Sequence, residues 1–134
     1  MPFHKLTQWL TYSLVEPLGE GGVAVDGLEE LTGLAEYRNG GLFVDMGVLE
    51  LRDRAATERV HRSGDELVVE WRALTVTLLD ELAPRTRALL GQTAANMEPG
   101  TLEALTWAAG REVAYERRTH GAPPLHLELD GTLF

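Results

Sequence analysis

A carboxylate, a phenol and a guanidinium stand side by side at Glu36-Tyr37-Arg38, directly before the glycine pair Gly40-Gly41. Glycine permits a sharp turn and a close approach of the backbone to a ligand. The three side chains could supply a base or cation stabiliser, a stacking ring and an anion clamp. A solvated turn with a weak local ion pair fits the same residues, so both interpretations stay open on spacing alone.

Two further places could take part in similar chemistry. Lys5 lies near the start of a predicted helix, where its ammonium group could bind a phosphate or donate a proton, although lysines are mostly exposed. Glu103 and Trp107 are one helical turn apart, and a carboxylate beside an indole suits a sugar or base pocket. Trp107 by itself is more typical of a core.

Glu70 and Arg72 fall inside the most hydrophobic predicted helix. A buried carboxylate there must be paired or functional. A solvated face is the alternative, because Glu70 shares a stripe at helical spacing with other polar residues. These are Glu66, Thr77, Asp80 and Glu81.

The composition excludes several classes of site. Without cysteines there is no disulfide framework, no Cys-based zinc site and no thiol nucleophile. The four histidines have no metal-ligand spacing, and there is no nucleotide-type glycine loop, so we predict neither a metal nor a cofactor. A net charge of −9 argues against a nucleic-acid partner, but one or two cations in a pocket suffice for a small phosphorylated ligand.

The chain has 134 residues, which fits one domain over 1–134. Its apolar runs are too short to span a bilayer, and no signal-peptide pattern opens the sequence. We therefore predict a cytoplasmic protein with no membrane partner.

The elements that must position these residues are predicted to be mainly helical. Capping residues and apolar residues at helical spacing predict helices over 4–18, 26–32, 53–61, 66–82, 84–90 and 101–118, and a short helix or buried run over 39–46. Pro17 and the glycine cluster over 19–22 are expected to end the first helix. Gly47 is expected to close the segment over 39–46, and Pro84 to open a separate helix. The helix over 66–82 is hydrophobic nearly all round, which predicts a central, buried position.

The end of the chain has a different pattern. Leu125, Leu127 and Leu129 alternate with polar residues, and Asp130-Gly131 is a tight-hairpin signal. We expect a small terminal hairpin or an edge strand. The predicted fold class is therefore mainly α, a multi-helix domain with a minor β element at the C-terminus.

Five segments, in order, resemble the uracil-catabolism protein family of fungi and bacteria (the Urc4/Urg3 type). They span residues 2–14, 36–42, 69–75, 106–111 and 130–134. The resemblance covers essentially the whole chain. Members of that family are considerably longer, and this chain resembles their C-terminal part.

That family is in turn distantly similar to queuosine salvage proteins, which are all-helical nucleotide N-glycosidases. At the N-terminus, Phe3, Lys5 and Gln8 match the start of one of their helices. Further along, Ala35-Glu36-Tyr37-Arg38 matches an Ala-Asp-Tyr-Arg turn, and Glu70-Trp71-Arg72-Ala73 matches a Glu-Ile-Arg-Ala helix. Near the C-terminus, Glu103 and Trp107 match an Asp that stands four residues before a Trp. Two features depart from their pattern, the extra methylene of Glu36 and the stretch Asn39-Gly40-Gly41. We interpret these departures as a changed base pocket.

The resemblance implies a helical glycosylase-like fold and hydrolysis of an N-glycosidic bond in a ribonucleotide-like or ribosyl-urea intermediate. Glu36 would stabilise an oxocarbenium-like centre or activate water, and Lys5 would hold a phosphate or protonate the leaving side. The implied partner is a small phosphorylated nucleoside-like metabolite. The implied substrate-binding residues are Tyr37, Arg38, Glu70, Arg72, Glu103 and Trp107.

Two other interpretations remain open. The chain could be a non-catalytic helical module that binds a nucleotide or a protein in the same pathway. It could also self-associate as a homo-oligomer, burying an apolar face that a missing part of the polypeptide would otherwise cover.

Overall fold

A computed structural model describes residues 4–94, 96–97 and 99–128. Within these residues the fold is mainly helical, as predicted, with a two-stranded parallel sheet. The helices are α1 (His4–Glu20), α2 (Tyr37–Asp45), α3 (Glu66–Leu90) and α4 (Pro99–Arg117), and the strands are β1 (Val60–Arg62) and β2 (His126–Glu128). Short 3₁₀ turns cover Leu28–Glu30, Arg54–Glu58 and Thr119–Gly121.

Helix α1 was predicted correctly except at its end. It continues past Pro17 to Glu20. The unexpected feature is which face is buried. Lys5 and Gln8 are buried, whereas the hydrophobic residues that predicted the helix are exposed. These exposed residues are Leu6, Trp9, Leu10, Leu14 and Leu18.

The next two predicted helices have different outcomes. Only a single 3₁₀ turn, Leu28–Glu30, forms in the first, and its N-cap is Gly27 at φ 77° rather than Asp26. Helix α2 forms as expected, although it starts at Tyr37, two residues early. It ends before Gly47, whose φ of 73° suits the residue after a helix.

The predicted helix over 53–61 is wrong beyond its first turn. Asp53 accepts a hydrogen bond from the Ala55 N–H at 3.0 Å, but it caps only the 3₁₀ turn Arg54–Glu58. Residues 60–62 then form β1, which pairs in parallel with β2 in the register Val60↔His126. A strand this short depends on a partner far away in the sequence, so local periodicity does not reveal it.

The two helices predicted over 66–82 and 84–90 are one helix, α3, of 25 residues. Pro84 removes one hydrogen-bond donor, but the helix continues through it to a C-cap at Gly91, where φ is 62°. The expectation that this helix is buried all round is also wrong. Val69 and Leu74 are 50% and 41% exposed, so only one face packs into the core.

Helix α4 starts at Pro99 rather than after Thr101, which agrees with the tolerance for proline in a first turn. It approaches α2 closely at Gly110, where an added Cβ would collide with the Arg38 carbonyl oxygen. The missing side chain therefore sets the spacing between α2 and α4.

The core lies between α3, the start of α2 and the strands. Its buried members are Ala35, Ala56, Val68, Trp71 and Leu125. The Trp71 indole donates to the Gly40 carbonyl at 3.0 Å, which ties α3 to α2.

The strand predicted near the C-terminus is confirmed as β2, paired in parallel with β1. Leu129 and the hairpin signal Asp130-Gly131 lie outside the described residues. In the part of the chain that the structure describes, no helix is both long and hydrophobic enough to cross a membrane.

Candidate active site

An open cleft of about 950 Å³ lies between the start of α1, the turn into α2 and one face of α4. Five of the eight residues singled out in the sequence line it: Lys5, Glu36, Tyr37, Glu103 and Trp107. The other lining residues are Trp9, Tyr12, Ser13, Gly100, Ala104 and Ala108. Residues distant in the sequence thus share one site.

A buried ion pair forms one wall of the cleft. The Lys5 Nζ lies 3.4 Å from Glu36 Oε1, and each side chain is only 7% exposed. Removing two charges from water is costly and is tolerated where they compensate each other. Neither residue is the solvated surface group that its sequence context also allowed.

The backbone segment before Glu36 is held between α1 and α3. The Gln8 side-chain amide of α1 donates to the Thr32 carbonyl and to the Tyr12 hydroxyl at 2.9 Å. On the other side, the Gly33 N–H donates to Asp80 of α3 at 2.6 Å. These two anchors determine where the chain enters the turn that carries Glu36.

Asn39 fixes the turn itself. Its side chain is fully buried and accepts from the Glu36 N–H at 2.8 Å, while it donates to the Leu34 carbonyl at 2.8 Å. The first turn of α2 begins with the Gly40 N–H donating to the Glu36 carbonyl at 2.8 Å. Glu36 therefore occupies the N-cap position with its backbone restrained on both sides.

Glu103 faces the same cleft from α4. Burial, with a smaller contribution from the negative charge of Glu36 and an opposing one from Lys5, raises the pKa of Glu103 from 4.5 to about 7. A carboxyl group with such a pKa is about half protonated at neutral pH, whereas an ordinary carboxyl group is ionised there. Of the two carboxyl groups that line the cleft among the described residues, Glu36 is ion-paired with the Lys5 ammonium and Glu103 has no ion pair within that part of the chain.

Aromatic rings form much of the remaining wall. Tyr37 and Trp107 belong to the predicted set, and each ring has a guanidinium against it. The Cζ of Arg38 lies 4.9 Å from the Tyr37 ring centroid, and that of Arg111 lies 5.4 Å from the Trp107 ring. Such contacts hold the rings in place and leave an aromatic cleft suited to the flat faces of a sugar or base.

Three predicted residues are not among those lining the cleft. Arg38 donates to the Gly121 carbonyl at 2.6 Å, and so links α2 to the segment after α4. Glu70 is exposed and lies 3.8 Å from Arg52. Arg72 is buried in α3, and burial lowers the pKa of its guanidinium.

The segment Asn39-Gly40-Gly41 does not line the cleft either. An added Cβ on Gly40 would lie 2.8 Å from the Thr75 hydroxyl, and one on Gly41 would lie 3.0 Å from Pro124. The departure from the queuosine-type pattern therefore serves helix packing, and our interpretation of it as a changed base pocket finds no support in its position.

The sequence did not single out Tyr12 and Ser13 for the cleft, and it used Trp9 only as part of a helix pattern. A signal was available, since Trp9 and Tyr12 stand four and seven residues after Lys5 and so share its side of α1. The role of Asn39 had no comparable signal. In the described residues, no group of three or more His, Cys, Asp or Glu side chains could hold a metal ion.

The fold and the cleft define a small helical domain with a buried lysine–carboxylate pair and an adjacent protonatable carboxyl group. Comparison of the sequence with models of protein families identifies the family of this domain. The chain belongs to the family described as "Protein of unknown function (DUF1688)", whose model matches residues 1–134.

Two curated relatives match nearly the whole chain. "Protein urg3" of Schizosaccharomyces pombe is 47% identical over 140 residues, covering 99% of this chain and 34% of the relative. "Uracil catabolism protein 4" of Lachancea kluyveri is 42% identical over 151 residues, covering 98% of this chain and 34% of the relative. The chain thus spans about a third of the length of either relative. No solved structure matches it.

Proposed function

We propose that this chain takes part in uracil catabolism and that its cleft hydrolyses an N-glycosidic bond in a ribonucleotide-like or ribosyl-urea intermediate. The name of the Lachancea kluyveri relative supports the pathway. The observation that carries the chemistry is the buried Lys5–Glu36 pair in an aromatic-lined cleft that also contains Glu103.

The reaction requires a group that stabilises positive charge at the anomeric carbon. As the C–N bond breaks, its electron pair leaves with nitrogen and the sugar becomes oxocarbenium-like. The carboxylate of Glu36 would stabilise that charge or accept a proton from the water that adds to the same carbon. Its N-cap position and the Asn39 clamp keep this carboxylate in place, which favours a preorganised site.

The other lining residues have complementary roles in this proposal. Lys5 orients Glu36 and, as the one cation among the cleft-lining residues of the described chain, is the group available to contact a substrate phosphate. Tyr37 and Trp107 would pack against the sugar or base. Arg38, Glu70 and Arg72 receive no substrate contact here, because none of them lines the cleft.

The test is incubation of this chain, in parallel with the full-length Schizosaccharomyces pombe relative, with uridine nucleotides and ribosyl-urea compounds. The readout is released base or urea. Release by both proteins supports an N-glycosidase contained in these residues. Release by the longer protein alone would make the cleft one part of a composite site, and release by neither contradicts the proposal.

Substitution of Glu36 makes the test specific. We expect Glu36→Gln to lower turnover by about 10²–10⁴-fold, the usual contribution of a positioned acid–base group. Glu50→Gln, at an exposed carboxylate outside the cleft, is the matched control and should keep full activity. Full activity of Glu36→Gln on a confirmed substrate would remove Glu36 from the mechanism.

A non-catalytic binding module is the second candidate. The observation that favours it is the exposed hydrophobic face of α1, where Leu6, Leu10 and Leu14 are 52%, 59% and 46% exposed. An apolar surface of this kind is typical of contact with another polypeptide. Binding of uridine nucleotides without any turnover, measured by calorimetry on both proteins, would favour this alternative.

A further inference from the structure

Glu103 occupies a defined position relative to Glu36. Helix α4 carries Glu103, and the turn into α2 carries Glu36. The two helices are held together at Gly110, where only a hydrogen fits against the Arg38 carbonyl. Glu103 is partly buried and lines the cleft together with the Lys5–Glu36 pair and with Trp107, one turn further along α4.

Burial and the negative charge of Glu36 favour the neutral form of Glu103, and the positive charge of Lys5 opposes them. From α1 it is faced by Lys5 and by Tyr12; from the start of α2 it is faced by Glu36. Lys5 is already engaged by Glu36 at 3.4 Å. A second carboxylate in the same cleft would therefore add an uncompensated negative charge in a poorly solvated place.

We propose that Glu103 is the general acid of this site, the group that delivers a proton to the departing nitrogen while Glu36 stabilises the sugar. The inference rests on the proposed function and assigns to Glu103 the protonation step that the family resemblance left to Lys5. Lys5 is less suited to that step, because loss of its proton would leave Glu36 buried without its cation.

The proton balance of the cycle is complete within these two carboxyl groups and one water. Glu103–COOH gives its proton to the leaving nitrogen, or to an oxygen conjugated with it, as the C–N bond breaks and the electron pair stays with the leaving group. Water then adds to the anomeric carbon and passes one proton to Glu36. Return of that proton to Glu103 restores the starting state, so the net reaction consumes one water.

If Glu103 is the general acid, the rate of hydrolysis should depend on pH in a characteristic way. Because burial and Glu36 raise the pKa of Glu103 to about 7, the rate on a substrate that needs leaving-group protonation should fall as the pH rises past that value. The same fall in rate with rising pH should be weak or missing for a p-nitrophenyl riboside, because its leaving group departs as a stable anion without a proton.

The experiment compares two substrates in three proteins: the unaltered chain, Glu103→Gln and Glu112→Gln. Glu112 is an exposed carboxylate on the same helix and serves as the matched control. We expect Glu103→Gln to lower kcat on a ribosyl-urea substrate by about 10²–10⁴-fold and to affect the p-nitrophenyl riboside far less. Glu112→Gln should match the unaltered chain on both.

The outcomes separate this inference from the proposed function. If the unaltered chain hydrolyses both substrates and Glu103→Gln lowers both rates equally, hydrolysis stands and the general-acid role is overturned. If neither the unaltered chain nor the full-length Schizosaccharomyces pombe relative hydrolyses either substrate, the proposed function fails first. If Glu103→Gln does not fold, the pH profiles of the unaltered chain on the two substrates decide. A rate that falls at alkaline pH with both substrates contradicts the inference. A rate that falls with the ribosyl-urea substrate alone supports it.

Discussion

Two regions of this molecule each contain a pair of a cationic and an acidic side chain, and they differ in how far they bury it. In the cleft, Lys5 and Glu36 form an ion pair with both side chains 7% exposed. Beside α3, Arg52 and Glu70 approach to 3.8 Å with side chains 94% and 52% exposed. The second pair borders a smaller groove of about 240 Å³, where Asp53 and Arg59 also pair with each other, 2.6 Å apart.

The contrast shows what distinguishes a candidate site from a solvated face. In water the Coulomb attraction of an ion pair is weak and screened. In the cleft, helices α1, α2 and α4 surround the charges, so that one carboxyl group keeps an ammonium partner and burial raises the pKa of the other to about 7. Enclosure by several elements, more than the residue types, gives the cleft its chemistry.

The largest expected effect on stability comes from substitution of Asn39, the buried polar residue that fixes the turn carrying Glu36. Asn39→Leu keeps a similar volume but leaves the Glu36 N–H and the Leu34 carbonyl buried without partners. We expect the free energy of unfolding to fall by about 2–5 kcal/mol, measured by urea denaturation. Asp53→Ala, which removes an exposed cap in the other region, should cause a much smaller fall. Equal losses would contradict the contrast.

The second prediction concerns the spacing that brings the two carboxyl groups together. Gly110→Ala places a methyl group against the Arg38 carbonyl and should destabilise the fold by about 1–3 kcal/mol. Gly19→Ala, where nothing lies within 4 Å of the added Cβ, should change the free energy of unfolding by less than about 0.5 kcal/mol. Thermal unfolding of the two variants, followed by circular dichroism, makes the comparison.

The third prediction measures each ion pair by a double-mutant cycle. Lys5→Met and Glu36→Gln, alone and together, should give a coupling energy of about 1–3 kcal/mol, because either single change leaves a buried partner. Arg52→Met and Glu70→Gln should give less than about 1 kcal/mol. A larger coupling for the exposed pair would show that burial does not govern these interactions.

The smallest expected effect is a change in the pH dependence of stability. The pKa of Glu103 is raised from 4.5 to about 7, so between these values the folded chain holds the proton more tightly than the unfolded chain does. The contribution of Glu103 to the free energy of unfolding is therefore fully present below pH 4.5 and is lost as the pH rises to about 7.

Urea denaturation across this pH interval checks the sign. The stability of Glu103→Gln should depend less on pH than that of the unaltered chain. Glu112→Gln is the control, because it changes an exposed carboxylate on the same helix. If Glu103→Gln and Glu112→Gln follow the same pH profile, the Glu103 carboxyl group has no raised pKa.

Much of this arrangement could be predicted from local sequence. Helices α1, α2 and α4 are marked by periodicity and by capping or glycine residues, and Glu36, Tyr37, Glu103 and Trp107 were selected by residue type and resemblance. Residue type and spacing alone, without the family resemblance, could not rank Glu36 above Glu70. That difference depends on burial by distant segments, and both residues stand in helical or turn contexts that allow exposure or enclosure.

Two of the errors have the same physical origin. Strand β1 depends on β2, far away in the sequence. The hydrophobic residues of α1 predicted the helix correctly but not its buried face, where Lys5 and Gln8 contact the segment before α2. In both cases a tertiary contact outweighed the local pattern. The continuation of α3 through Pro84 is a separate error, in which the helix overrides a local helix-breaking preference.

The parallel pairing of β1 with β2 has a consequence for the order in which the chain folds. The register joins Val60 to His126, so forming it closes a long loop that contains all of α3 and α4, and such closure carries a large entropic cost. The local helices can form earlier, and we expect the strand pair to join them after the transition state. Substitutions in β2 should consequently accelerate unfolding while leaving the folding rate nearly unchanged.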